Sequence, residues 1–191
     1  MKNYARLLMF LIGIMSLLVV VSACGHRDNR AEENPYARIS KTDMKYQNIQ
    51  IVNFTISPRG VQETDNPQGV LKESQEICAQ VLTESKLFNN VRAVNSAERE
   101  SSALIIQGEL TKLRIVGGGA RFWIGAMAGK SEMSVYVKLI DASTGQVISQ
   151  QQVNENSDPS TGAWSIGATD RALPRTVGSL IADFAINSAR R

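Results

Sequence analysis

Two β-rich runs, Ser134 to Ile140 and Gln146 to Val153, stand either side of Asp141-Ala142-Ser143-Thr144-Gly145. They read as a hairpin, with Gly145 taking positive φ and Asp141 bonding the turn backbone, and this commits the chain to a sheet. Upstream, Ile49, Ile51, Phe54 and Ile56 give Tyr46 to Ile56 strand-like apolar density before the breaker Ser57-Pro58-Arg59-Gly60. Val70, Leu71, Ile77, Cys78, Val81 and Leu82 then repeat at helical spacing, which predicts an amphipathic helix from Gln68 to Lys86. Phe88 to Val94 reads as a short strand, and Ala103 to Leu110 as another that extends toward Val116. In the tail, Leu173, Val177, Leu180, Ile181, Phe184 and Ala185 share one face of a second helix ending near Arg190. Pro174 is tolerable there only in the first turn, where a missing N–H costs little. The order β-α-β-β-β-β-α predicts an α+β fold, a mostly antiparallel sheet of about five strands with both helices on one face.

The start of the chain has a different character. Lys2 and Arg6 precede an uncharged apolar run, Leu7 to Val21, the build of a secretory signal. The run ends in Val21-Ser22-Ala23-Cys24-Gly25, which resembles the lipobox of bacterial lipoproteins. Small residues let the Ala23–Cys24 bond enter a protease, and the Cys24 thiol takes a diacylglyceryl group. The expected division is a signal peptide over 1–23, an acylated cysteine and polar tether over 24–44, and a single domain over 45–191. By its likeness to lipoprotein sorting in enteric bacteria, Gly25 after the cysteine implies transfer to the outer membrane, with the domain facing the periplasm. Buried acyl chains, at roughly 0.8 kcal/mol per CH2, would hold it there without a spanning helix.

The chain has 2 cysteines, and acylation of Cys24 leaves Cys78 without a disulfide partner, so the fold must stand on its core. Cys78 falls on the apolar side of the first helix and is expected to be a buried thiol.

The charge balance argues against nucleic acid. The formal charge is +3, but without Lys2 and Arg6 the chain holds 19 basic residues against 18 acidic. The remaining Lys and Arg form no stripe with interleaved aromatics, as a phosphate-tracking surface requires.

Catalytic groups are also scarce. The single histidine, His26, lies in the tether, and no spacing of His, Cys and carboxylates suits a metal. No cofactor is expected. Ala163-Trp164-Ser165-Ile166-Gly167 imitates a nucleophile elbow, yet no histidine follows it to act as base. Gly125-Ala126-Met127-Ala128-Gly129-Lys130-Ser131 ends like a phosphate-binding loop, but its first glycine is one residue too close and Ser131 opens a β-run rather than a helix. Nucleotide binding is therefore not expected, and Lys130 is read as a surface residue.

Residues 115–129 remain as the candidate interaction segment, through Gly117, Gly118, Gly119, Phe122, Trp123, Ile124 and Met127. The glycines make a poor helix or strand interior, whereas the aromatic and aliphatic residues are too apolar for a solvated loop. Two readings are open: the side chains fold back over one end of the sheet, or they form an exposed patch against a subunit, a partner or the bilayer interface.

The stretch from Arg121 to Val153, with its glycine-lysine segment, the Val135-Tyr-Val-Lys-Leu-Ile140 strand and the Asp141-Ala-Ser-Thr-Gly145 hairpin, resembles domain of unknown function 4410, a family of bacterial lipoproteins with no assigned activity. Element order and hairpin are also similar to a broader group that includes the N-terminal domain of the translocation protein TolB, the synthase activator LpoB and the curli lipoprotein CsgG. Those proteins bind partners or assemble into rings, so the resemblance implies a non-catalytic module. The favoured expectation is an adaptor, monomer or small oligomer, anchored through Cys24 and docking an unidentified envelope protein. The alternative is a self-assembling secretion or transport component, a homo-oligomer whose glycine-rich segment meets another subunit or the bilayer.

Overall fold

The computed structural model describes residues 34–59, 61, 66–116, 130–157 and 168–190. Two units divide the chain, Met1–Pro35 and Tyr36–Arg191. In the second the strands are β1 (Asn48–Val52), β2 (Thr55–Ile56), β3 (Asn90–Val94), β4 (Ala103–Arg114), β5 (Glu132–Asp141) and β6 (Val147–Asn156). The helices are α1 (Pro67–Glu84), which follows β2, and α2 (Ala168–Ser188), which follows β6. The fold is α+β, an open six-stranded sheet with a helical layer on one face.

The sheet order is β3-β1-β4-β5-β6, with β2 paired to the far part of β4. The long β4–β5 and β5–β6 ladders are antiparallel and make the sheet mostly so, as expected. The β3-β1-β4 half is parallel, because α1 carries the chain back between β1 and β3, the connection that parallel neighbours require. A sixth strand arises because the run from 46 to 56 breaks in two. At Asn53-Phe54 the chain turns, the Phe54 N–H donates to Gln75 Oε1 at 3.0 Å, and the Phe54 ring lies over Gly108, where an added Cβ would sit 2.8 Å from it.

The core lies between sheet and helices. Ile49, Ile51, Leu104, Ile106, Leu110, Met133, Val135, Val137 and Leu139 alternate along the strands and meet Leu71, Cys78 and Leu82 of α1 and Val177, Ile181 and Ala185 of α2. These spacings are the two periods visible in the sequence. α1 opens with Pro67 at its first position and an Asn66 cap, whose Oδ1 accepts from the Gly69 N–H at 2.9 Å. α2 begins earlier than expected, so Pro174 lies inside the helix and not in its first turn. It is buried, and packing against the sheet outweighs the one helical hydrogen bond its ring removes.

The unit also opens earlier than the expected boundary at residue 45. The Tyr36 hydroxyl donates to Asp183 of α2, Ile39 packs on the core, Met44 is buried, and the Lys45 N–H donates to the Ala189 carbonyl at 2.8 Å. The polar composition of residues 36–44 concealed these few anchoring contacts.

The hairpin turn forms as predicted. Asp141 Oδ1 accepts the Ser143 N–H at 2.9 Å, the Ser143 hydroxyl at 2.5 Å and the Thr144 N–H at 3.1 Å, and Gly145 sits at φ 75. The Tyr46 hydroxyl donates to Oδ2 at 3.0 Å. The Ser143 hydroxyl bond, with the backbone and Tyr46 bonds beside it, holds the carboxyl down at about 2, against an ordinary 3.8. A depressed folded-state pKa adds stability above the unfolded value and loses it as pH falls. The urea midpoint should therefore drop between about pH 4 and pH 2, and Asp141→Asn should flatten that part of the profile; an unchanged profile would exclude Asp141 as its source.

Candidate interaction site

The glycine-rich segment joins β4 to β5, and residues 117–129 lie outside the described residues. Gly117, Gly118, Gly119, Phe122, Trp123, Ile124 and Met127 are all among these, so what is described is the base from which the segment springs. Ile115 packs against the core and Val116 is buried. The Val116 N–H donates to Ser131 Oγ at 2.8 Å. The Ser131 N–H donates to Ser157 Oγ at 3.0 Å, and the Ser157 N–H returns to the Ser131 carbonyl at 2.9 Å. Both serines are buried, so their bonds are not shared with water and their geometry is held firmly. They hold Val116 and Ser131, which flank the segment, at one corner of the sheet, where β4, β5 and β6 finish or begin.

This arrangement gives Ser131 and Lys130 roles that a phosphate loop would not. The Ser131 hydroxyl is engaged by a backbone donor. Lys130 is half exposed and lies 3.5 Å from Glu132, which also holds Lys112 at 2.5 Å. The Lys112 bond is the larger cause of the lowered Glu132 pKa. Lys130→Ala should change stability by no more than the roughly 0.5 kcal/mol usual at exposed sites. Saturable ATP binding that this substitution abolished would contradict that assignment.

Cys78 is completely buried, and burial pushes its thiol far above the ordinary range, which makes it a poor nucleophile. Ala23, Cys24, His26 and Ser165 lie outside the described residues.

One polar cluster was not foreseen. Gln50 sits between Ile49 and Ile51 in β1 and, like them, is fully buried. Its Nε2 donates to the Glu98 carbonyl at 3.0 Å and to Glu100 Oε2 at 2.9 Å, and its Oε1 accepts the Glu98 N–H at 2.9 Å. Arg92 Nη2 reaches Glu100 at 2.8 Å and Glu98 at 3.1 Å, and Asn48 Nδ2 donates to the other Glu100 oxygen at 2.8 Å. The β3–β4 connection is thereby latched across the sheet face opposite the helices. The Glu100 carboxylate is committed to Arg92 and to the Gln50 and Asn48 amides, and the Glu98 carboxylate to Arg92, an arrangement that holds a loop in place. Alternation predicts a solvent-facing Gln50; only the carboxylates at 98 and 100, flanking Arg99, hint at a loop with its own partners.

Fold and site together define a two-layer α+β domain whose buried polar groups secure its own connections and whose glycine-rich segment issues from a stapled corner. The chain belongs to the family described as Domain of unknown function (DUF4410), which matches residues 43–157. Among solved structures it is similar to the PelC dodecamer from Paraburkholderia phytofirmans, at 17% identity over 78% of this chain and 91% of that one, with a TM-score of 0.51. A Xanthomonas campestris protein of the DUF330 family matches at 14% identity over 75% of this chain and 86% of that one, with a TM-score of 0.48. Lipoprotein GNA1162 from Neisseria meningitidis matches at 12% identity over 73% and 96% of the two chains, with a TM-score of 0.40. No curated protein matches the chain.

Proposed function

We propose that this chain is an envelope lipoprotein, held on the outer membrane by acyl chains on Cys24, whose domain faces the periplasm and works by assembling with copies of itself. The observation that carries the assembly is the shared fold: it extends over 91% of a PelC chain that forms a dodecamer. The Val21-Ser22-Ala23-Cys24 sequence supports the anchor, and the stapled corner gives residues 117–129 fixed ends from which to meet a neighbouring subunit or the bilayer. Catalysis is no part of the proposal: Gln50, Ser131 and Ser157, buried polar residues among those described, bond the domain's own connections.

Cys24→Ser should move the protein from the membrane fraction to the soluble one or leave it unprocessed. Native protein carrying an unmodified Cys24 thiol by mass spectrometry would overturn the anchor. Light scattering on the full chain in detergent should give a mass of many subunits; a monomer at every concentration would return the domain to the adaptor role.

A further inference from the structure

Among the described residues the sheet is open, and its two ends differ. β3, at one end, is 5 residues long; β6, at the other, is 10. From Val147 to Asn154 β6 reads Val-Ile-Ser-Gln-Gln-Gln-Val-Asn, with no charge and no proline. Natural edge strands are usually defended by lysine, proline or a covering element, because their unpaired N–H and C=O groups recruit another strand. Val147 and Ile148, at the irregularity where the β5–β6 register shifts, are 50% and 37% exposed.

Beside this edge runs a groove of about 460 Å³ between β6 and α2. Gln151, Gln152, Val153 and Asn154 all border it, although their side chains alternate between the faces of the sheet. The groove therefore follows the backbone edge itself. Its other wall is one face of α2, formed by Leu180, Asp183, Phe184 and Asn187. An edge strand with open space beside it is the geometry in which an extended segment adds to a sheet.

We propose that the β6–α2 groove of one copy receives strand β3 of a second copy, so that the sheet continues from subunit to subunit. Strand direction allows this: β3 is parallel to β1 and β1 to β4, while β6 is antiparallel to β5 and β5 to β4, so β3 and β6 point the same way. Copies related by rotation about an axis along the strands then present β3 to β6 in parallel pairing. Length agrees as well, since the groove borders four residues of β6 and β3 offers five. A two-fold β6–β6 contact would close at a dimer and leave β3 open, whereas head-to-tail contact uses both ends and gives a ring when the rotation closes. The inference rests on the self-assembly proposed above and names its surface.

The test uses the full chain in detergent. Ala93→Cys and Gln151→Cys chains, each exposed on the helix face of its edge strand, are co-expressed with different tags and treated with a short bismaleimide. A cross-link in the mixed sample and in neither variant alone is the expected result. Gln151→Lys, which places a charge at the groove, should weaken association at least tenfold while leaving the melting temperature unchanged. Self-linking of Gln151→Cys alone would show a two-fold contact and overturn the proposal. A multisubunit parent with no mixed cross-link and an unaffected Gln151→Lys variant would overturn the edge contact and leave self-assembly standing. A parent that is monomeric throughout would remove both.

Discussion

Gly178→Leu should lower the melting temperature by at least about 6–12 °C. At Gly178 α2 lies close against α1: a Cβ added there would lie 2.5 Å from the Ser74 carbonyl oxygen and 2.9 Å from the Ile77 Cβ. The first of these atoms is helix backbone and cannot rotate aside, so the helices must separate. Ser74 is fully buried, its hydroxyl bonded to the Val70 carbonyl at 3.1 Å, and separation would open the core that Cys78, Val177 and Ile181 fill. Even Gly178→Ala should be destabilising, because overpacking costs about 1–3 kcal/mol and the gain in helix propensity over glycine is only about 0.5–1 kcal/mol. The larger side chain should cost at least about 3 kcal/mol, and each kcal/mol corresponds to about 2–4 °C in a protein of this size. Leu180→Ser, on an exposed side of the same helix turn, should shift the melt by far less. Calorimetry of the three variants checks the order; a Gly178→Leu protein that melts with its parent would mean that the helices do not approach so closely.

Gln50→Ala should cost about 3 kcal/mol, more than any other single polar truncation on the sheet face opposite the helices. The substitution removes the partner of the Glu98 N–H, the Glu98 carbonyl and a Glu100 oxygen together, and a buried group left unpaired costs about 1–3 kcal/mol. Water can reach part of the loop after it lifts, which keeps the total below the sum. Gln50→Glu should be worse near neutral pH, because it places a third carboxylate beside Glu98 and Glu100. Burial beside two carboxylates raises the added group's pKa, so its penalty should shrink as pH falls toward the ordinary glutamate range and be gone below it. Gln107→Ala, on the same face without those bonds, should change stability by about 0.5 kcal/mol. Urea unfolding of the set at two pH values checks both parts, and equal midpoints for Gln50→Ala and Gln107→Ala would mean that the latch contributes nothing.

The elements of this fold were legible where burial follows a local period. The α1 stripe through Leu71, Cys78 and Leu82, the Asp141–Gly145 hairpin and the alternation along β4 and β5 each stand in the sequence within a few residues of where they form. The likeness to the DUF4410 family was legible for the same reason, since the hairpin and the strand before it carry much of it. Less could be read where a residue's environment comes from a distant segment. Gln50 alternates correctly with its neighbours, yet the loop at Glu98 to Glu100 covers it from the other side. Residues 36–44 look like tether until Tyr36 meets Asp183 and Met44 enters the core. Pro174 looks like a helix start until packing carries α2 beyond it.

By itself the sequence determined which stretches become strands and helices, where the hairpin turns, and which face of each element is apolar, because those depend on backbone preference and on side chains two to four residues apart. Only the tertiary structure decided that β1 lies between β3 and β4, that this half of the sheet is parallel, that β2 separates from β1, and that β6 is the last strand of the sheet among the described residues, beside α2. Strand order and pairing direction are settled by which apolar faces can be covered together, a competition among segments dozens of residues apart that leaves no periodic trace along the chain.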